Sequence, residues 1–329
     1  MAGSSTTAPA RRLADRKTKT PASITTSPFS DPATQQRLLD LVHSAFSAAF
    51  AHPDTLAATV QQVKRHLYDR DYLSAFSSPD YLLAYFLRWS PARALAYLSV
   101  VGDLCAPTVP DFLLGRRRSA KSRSKRVLCI GGGAGGEVLA FTCLVRMLRA
   151  SDVHVLALDI ADWNGVFSRL RDGISTSSAF LPSSSSKSTE LDTPFTDVKL
   201  EFTQLDVLDS SALDFSTFGL LTMLFTTNEL FAQSKPRAIA FLRHLSATCL
   251  PGTLLLVLES AGSYSNITVG TKIFPLHYLL DHTLTSGDTP SWRILKQDDA
   301  AWFRLESSGL RYPLQLENMR FFLRFYEHL

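Results

Sequence analysis

Residues 127–141 read Val127-Leu128-Cys129-Ile130-Gly131-Gly132-Gly133-Ala134-Gly135-Gly136-Glu137-Val138-Leu139-Ala140-Phe141. Four apolar residues running into glycines predict a buried strand and a tight turn, and the apolar-rich stretch that follows predicts a helix over 137–150. Such a turn lets the backbone approach a ligand closely, with the N–H groups of a helix start nearby. Gly131, Gly133 and Gly135 have the spacing that S-adenosylmethionine enzymes use. Gly131, Gly133 and Gly136 also satisfy the dinucleotide pattern, so the loop alone leaves both cofactors open.

Downstream, the signals alternate. Strands are predicted at 153–159, 199–205, 220–225 and 253–258, and helices at 163–172, 235–250 and 274–281. Two aromatic strands, 292–296 and 319–326, close the chain. This alternation predicts an α/β fold with a mainly parallel sheet. Asp159 ends the second strand, where a carboxylate takes both ribose hydroxyls, with Ile160 beside it. Asp206 ends the third strand and can accept from an adenine amino group while Val207 and Leu208 lie against the ring. The other reading of Asp206 is a turn-capping aspartate. A third-strand acid is not part of the dinucleotide fingerprint. The glycine loop, the two strand-end acids and the closing antiparallel hairpin together favour S-adenosyl-L-methionine, with Gly132 also in the cradle.

Upstream, Leu38, Leu41, Val42, Ala45, Phe46 and Ala49 recur at helical spacing, and further helices are predicted at 56–68, 79–89 and 91–105. Ser90 and Pro91 suit an N-cap and a first helical position, so a helix start is expected there. The organisation predicted is a disordered basic tail (1–32), a helical N-terminal subdomain (33–113), a basic linker (114–126) and a cofactor-binding domain (127–329). Within that last domain, 173–196 is half Ser or Thr and is expected to be a disordered insertion.

The chain has 329 residues, 45% of them hydrophobic, enough for a sizeable core. No apolar run approaches the ~20 residues of a membrane helix. The four cysteines stand apart and form no CxxC pair, which points to a reducing compartment and away from a disulfide framework or a structural zinc. The formal charge is +4, yet residues 1–30 alone carry +4 and the run from Arg116 to Arg126 carries +7, so the rest is net acidic. Positive charge gathered on two arms suits an anionic polymer such as RNA, with Arg116, Arg117 and Arg118 as candidate contacts; a merely solvated linker is the alternative.

The segments LCIGGGAGGEVLAF (128–141), LDIADW (158–163), LFTTNELF (224–231), LLLVLESAGSYS (254–265) and LENMRFFLRFYEHL (316–329), with RWSPARALAY (88–97) upstream, resemble the fungal methyltransferase family acting on uridine N3 of large-subunit rRNA. The resemblance spans roughly 34–329. It implies a Rossmann-like class I methyltransferase with a seven-stranded sheet and a nucleolar enzyme; the Arg-bearing, acid-poor tail also fits a mitochondrial transit peptide, so mitochondrion, with cytoplasm, is an alternative location. Its implied substrate is large-subunit rRNA or a pre-ribosomal particle. Cys129 departs from the usual pattern, since many methyltransferases carry an acid two residues before the glycine loop.

In this fold the residues after the fourth strand face the methyl group, here Thr226-Thr227-Asn228-Glu229. Uridine N3 carries a proton that must leave, so Asn228 is expected to orient the base and Glu229 to take the proton. A helix cap and a carboxylate complementing a helix dipole are the alternative roles. Tyr264 is a candidate to stack on the uracil, or is a core tyrosine. Trp163 is expected beside the adenosine or as a helix anchor. Arg88, Arg93, Arg320 and Arg324 are candidates for phosphate contacts or for pairing within the fold. No metal-ligand spacing is present. Three other functions are compatible: methyl transfer to tRNA, protein or a small molecule; a nicotinamide oxidoreductase; and a non-catalytic ribosome-assembly factor.

Overall fold

The computed structural model describes residues 27–117, 125–181, 197–209, 213–262, 265–269, 271–286, 291–305 and 309–329. Seven strands form one sheet: β1 (Arg126–Ile130), β2 (His154–Asp159), β3 (Lys199–Gln204), β4 (Leu220–Leu224), β5 (Leu254–Ser260), β8 (Trp292–Phe303) and β9 (Met319–His328). Their order is β3-β2-β1-β4-β5-β9-β8. The first five are parallel, and β9 runs antiparallel between β5 and β8. Every residue of β4 and all of β5 but Ser260 are buried, as expected of central strands covered on both faces. The chain reverses direction along the sheet between β1 and β4, and in open α/β sheets ligands bind at such a switch point, beyond the strands' C-terminal ends.

One face of the sheet is covered by α6 (Gly136–Leu148) and α7 (Asn164–Thr176), together with α1 (Pro32–Ala45), α2 (Pro53–Tyr68) and α4 (Pro79–Ser99) from the N-terminal half. The short helices α3 (Tyr72–Ala75) and α5 (Thr108–Leu113) flank α4 in the chain. The buried residues of these helices join those of β1, β2 and β5 in a single cluster, so the helical region and the sheet share a core. The other face is covered by α8 (Thr227–Gln233), α9 (Lys235–Thr248) and α10 (Leu276–Thr285). Among the described residues no helix is long and apolar enough to cross a membrane, and all four cysteines are free and buried.

Several elements depart from the sequence expectation. No helix starts at Ser90: α4 runs unbroken through Pro91. A proline removes the N–H that would bond the carbonyl four residues back, here that of Leu87. That carbonyl instead accepts from the Tyr312 hydroxyl at 2.9 Å, and the Ser90 hydroxyl, freed from capping, donates to the Ala134 carbonyl at 2.6 Å. Residues 173–176, expected in the Ser/Thr-rich insertion, are the last turn of α7, where Gly173 packs so closely on Ala45 that a Cβ would lie 2.3 Å from that methyl. Residues 182–196 of the insertion, 1–26 of the tail and 118–124 of the linker lie outside the described residues. A small hairpin of β6 (Asn266–Val269) and β7 (Lys272–Pro275) was not anticipated. The strand β8 is more than twice the expected length, its pairing to β9 continuing past two register shifts.

Candidate active site

A cavity of about 820 Å³ opens at the C-terminal ends of β1, β2 and β4, a size suited to a small-molecule cofactor. The glycine loop forms its floor. Gly131 sits at φ +72°, and a Cβ there would lie 2.1 Å from Thr226 Oγ1. Thr226 cannot retreat easily, since its hydroxyl donates to the Ile130 carbonyl. Gly133 is pressed against Trp163, with a would-be Cβ 2.1 Å from the indole. Side chains at either position would fill the cradle.

Asp159 clasps the loop from the end of β2: its Oδ2 accepts from Gly133 N at 3.2 Å and its Oδ1 from Ala161 N at 3.0 Å. Each carboxylate oxygen retains capacity for a further donor, such as a ribose hydroxyl. Burial pushes its pKa up to about 6, against the backbone donors that hold it down. Ile160 lines the cavity with its side chain 49% exposed. The Trp163 indole N–H is buried beside the Asp159 carboxylate and, with the backbone donors, opposes the rise in its pKa. Together with the glycine cradle, these groups fit an adenosine-bearing cofactor.

The N-terminal helices supply the opposite wall, a contribution that the sequence alone does not assign. Tyr85 and Arg93 of α4 line the cavity, the Arg93 guanidinium donating to the Tyr85 hydroxyl at 2.5 Å and lying 5.0 Å from the Phe225 ring centre. Phe225 follows β4 in a left-handed conformation, φ +63°, its N–H held by the Leu258 carbonyl. Such strain in a non-glycine residue persists only where surrounding structure enforces it, often at functional sites.

Three buried or half-buried acids surround Arg93: Glu137, Glu229 and Glu259. Glu229 faces the cavity, and burial, with Asp159 and Glu259 nearby, pushes it up to about 8 while Arg93 opposes the rise. Burial also drives Glu137 to about 8, against the Thr222 hydroxyl that bonds it. Glu137 opens α6, and its carboxylate lies 2.8 Å from where a Gly132 Cβ would be, beside Cys129. It therefore brings to the glycine loop an acid that Cys129 does not supply. Glu259 is raised by burial although its oxygens accept from the backbone N–H groups of Asn228 and Ser260.

Other expected site residues fall elsewhere. Asp206 does not line the cavity: it caps its own turn through Leu208 N and accepts from Gln233 Nε2 at 2.8 Å. Gln204 and Gln233 line that end of the cavity instead. Val207 is a core residue. Asn228 lines a second, smaller cavity of about 190 Å³ that shares Arg70, Tyr72 and Ala232 with the first, and its Nδ2 donates to Ser265 Oγ. Arg117 is not free for a polymer, since it pairs with the buried Glu327 of β9, and Arg116 lies 3.8 Å from Asp111. Arg88 pairs with Glu317 and Arg324 with Asp281 and Asp299, so both serve the fold. Arg118 and Tyr264 lie outside the described residues. Among the described residues no group of acids, histidines and cysteines could hold a metal.

Comparison with known proteins agrees with this geometry. A family model described as "Putative SAM-dependent methyltransferase" matches residues 42–327. The 25S rRNA (uridine(2843)-N(3))-methyltransferase of Saccharomyces cerevisiae is 36% identical over 299 residues, covering 82% of this chain and 78% of the yeast protein. Among solved structures, the DhpI–SAH complex is 15% identical, covers 73% of this chain and 96% of its own, and has a TM-score of 0.34. The glycopeptide N-methyltransferase MtfA with S-adenosylmethionine is 13% identical, covers 64% and 82%, and scores 0.36. Strand order and the family match carry the fold assignment, which does not depend on these two distant structures.

Proposed function

The chain belongs to the S-adenosylmethionine-dependent methyltransferase family matched over 42–327, and from that premise we propose that it methylates N3 of a uridine in large-subunit rRNA. The 36% identity to the yeast uridine-N3 enzyme over most of both chains carries this reading. The chemistry of the cavity supports it.

When bound, S-adenosylmethionine supplies an electrophilic sulfonium methyl group. Gly131, Gly133 and Asp159 would hold its adenosine portion, with the Trp163 indole packed against Gly133, and Arg93 would meet the carboxylate of its methionine end. The residues of this chain must then do two things for a uracil. They must take the N3 proton as the nitrogen forms its bond to carbon, and they must hold the ring in line. Glu229 takes the proton. A carboxylate raised to about 8 is a far stronger base than an exposed one and still ionises near neutrality. Asn228, fixed by Ser265, orients the acceptor from the adjoining cavity through its second amide N–H, which can donate to a uracil carbonyl.

Large-subunit rRNA as substrate also supports a nucleolar location and a pre-ribosomal particle as the form acted on. The direct test is to incubate the purified protein with radiolabelled S-adenosylmethionine and rRNA from cells lacking it, then to digest the RNA to nucleosides. Label in 3-methyluridine supports the reading. Label only in other nucleosides, or only with tRNA or protein, contradicts it.

A further inference from the structure

Of the four tryptophans in the chain, Trp163 and Trp292 are buried and Trp89 is partly buried, whereas Trp302 is 47% exposed. It stands on the edge strand β8, directly opposite Arg320 of β9. The Arg320 guanidinium lies 5.8 Å from the indole centre and that of Arg304, two residues along the same strand direction, lies 5.0 Å away. Both arginines are exposed, and among the described residues neither has an ion-pair partner, unlike Arg88, Arg293 and Arg324. An exposed indole flanked by two cations that no described acid pairs is unexpected on a body that is net acidic.

The sheet register places this cluster on the rim that carries the active site. Glu259 and Ser260 at the C-terminal end of β5 pair with Phe322 and Phe321, and Arg320 lies one residue further out. Trp302 is three strands from β4, or about 15 Å at ordinary strand spacing. Side chains alternate along β9, so Arg320 and Trp302 share a face with Phe322 and Tyr326, which pack in the same cluster as Leu230 and Phe231 of α8. That helix carries Asn228 and Glu229. The cluster therefore flanks the site on its acceptor side, opposite the end where Asp159 and Gln204 receive the adenosine.

We infer that Trp302, Arg304 and Arg320 form a stacking platform for an unpaired nucleotide of the RNA strand flanking the target uridine. This rests on the RNA-methyltransferase reading. Aromatic faces stack on any base, guanidinium planes stack or reach phosphate, and a base undergoing chemistry at N3 must come from an unpaired or splayed segment. A strand gripped here and at the active-site cavity would present its uridine to Glu229 with its neighbours held apart.

The test measures binding of a short fluorescent single-stranded oligouridylate by anisotropy, with calorimetric S-adenosylmethionine binding and thermal melting as controls. The Trp302 side chain is exposed, so the fold should survive its removal. Trp302→Ala is expected to bind the oligouridylate roughly tenfold more weakly, and Trp302→Phe, which keeps a π-face, within about threefold of wild type. The double variant Arg304→Gln/Arg320→Gln should flatten the salt dependence by about 0.7 for each phosphate that the two guanidinium groups neutralise in the wild type. Cofactor affinity should not move in any of them. Unchanged RNA affinity in Trp302→Ala overturns the platform and leaves the methyltransferase reading standing, because 3-methyluridine formation reports on that separately. A wild type that binds no oligouridylate also overturns it. So does a dimer, seen by sedimentation, that Trp302→Ala abolishes with no change in RNA binding, since an exposed edge strand such as β8 can pair with a second copy.

Discussion

In the proposed mechanism Glu229 is the residue at which methyl transfer is most exposed to a single substitution. Glu229→Gln keeps the shape and removes the base, so kcat should fall about a hundred- to ten-thousand-fold with cofactor affinity nearly unchanged. In the wild type the rate should climb as the pH passes through about 8, where Glu229 ionises. Arg93 favours that ionised form, so Arg93→Gln should move this limb to higher pH, a shift that a pH–rate profile reads directly and that mere loss of packing would not produce. Glu137 makes a separate prediction about stability. Its folded pKa of about 8 lies above the ordinary 4.5, so the folded state favours the proton. Its stabilising contribution is complete below pH 4.5 and is lost as the pH rises through about 8. The melting temperature of the wild type should therefore decline across that window, and that of Glu137→Gln should decline less. At this scale the sequence was legible where backbone geometry makes the demand, as at Gly131, Gly133 and Asp159. It was not legible at Arg93 or Glu137, whose roles arise only when α4 and α6 are packed together, nor at Asp206, where a strand-end acid reads alike whether it meets adenine or its own turn.

Among the elements, α4 is the one whose reading failed most instructively. Ser-Pro at 90–91 has the local chemistry of a helix start, and nothing nearby in sequence shows that Leu87's carbonyl has a partner 225 residues away in Tyr312. Tertiary structure overrode the local signal by satisfying the one hydrogen bond that proline forfeits. Tyr312→Phe leaves that carbonyl unpaired and should destabilise the fold by about 1–3 kcal/mol, measured by chemical denaturation. Pro91→Ala restores an N–H to the helix and should make the second change nearly harmless, a coupling that a double-mutant cycle would expose. The strands β1, β2 and β5 are legible because each is a short, mostly apolar run ended by glycine or acid. The edge strand β8 was read short because only Trp292 and Phe303 at its ends are buried, and its middle has no alternation to recognise.

For the whole molecule, the helical N-terminal region and the sheet share one core, and α4 forms both a wall of the cofactor cavity and the cover of the glycine loop. A fragment of residues 125–329 loses the partners of Phe141, Leu144 and Leu170 and should show no sharp unfolding transition; a cooperative melt of that fragment would contradict the shared core. In the proposed account, the topological switch between β1 and β4 sets the cofactor, the end of β4 sets the base, and the β5–β9–β8 side receives the acceptor strand. The measurement that tests this arrangement most directly is nucleoside mass spectrometry of large-subunit rRNA from cells lacking the protein, re-supplied with either the wild type or Glu229→Gln. A 3-methyluridine that disappears without the protein, returns with the wild type and fails to return with Glu229→Gln is the predicted result. An rRNA nucleoside profile that is the same in all three would contradict it.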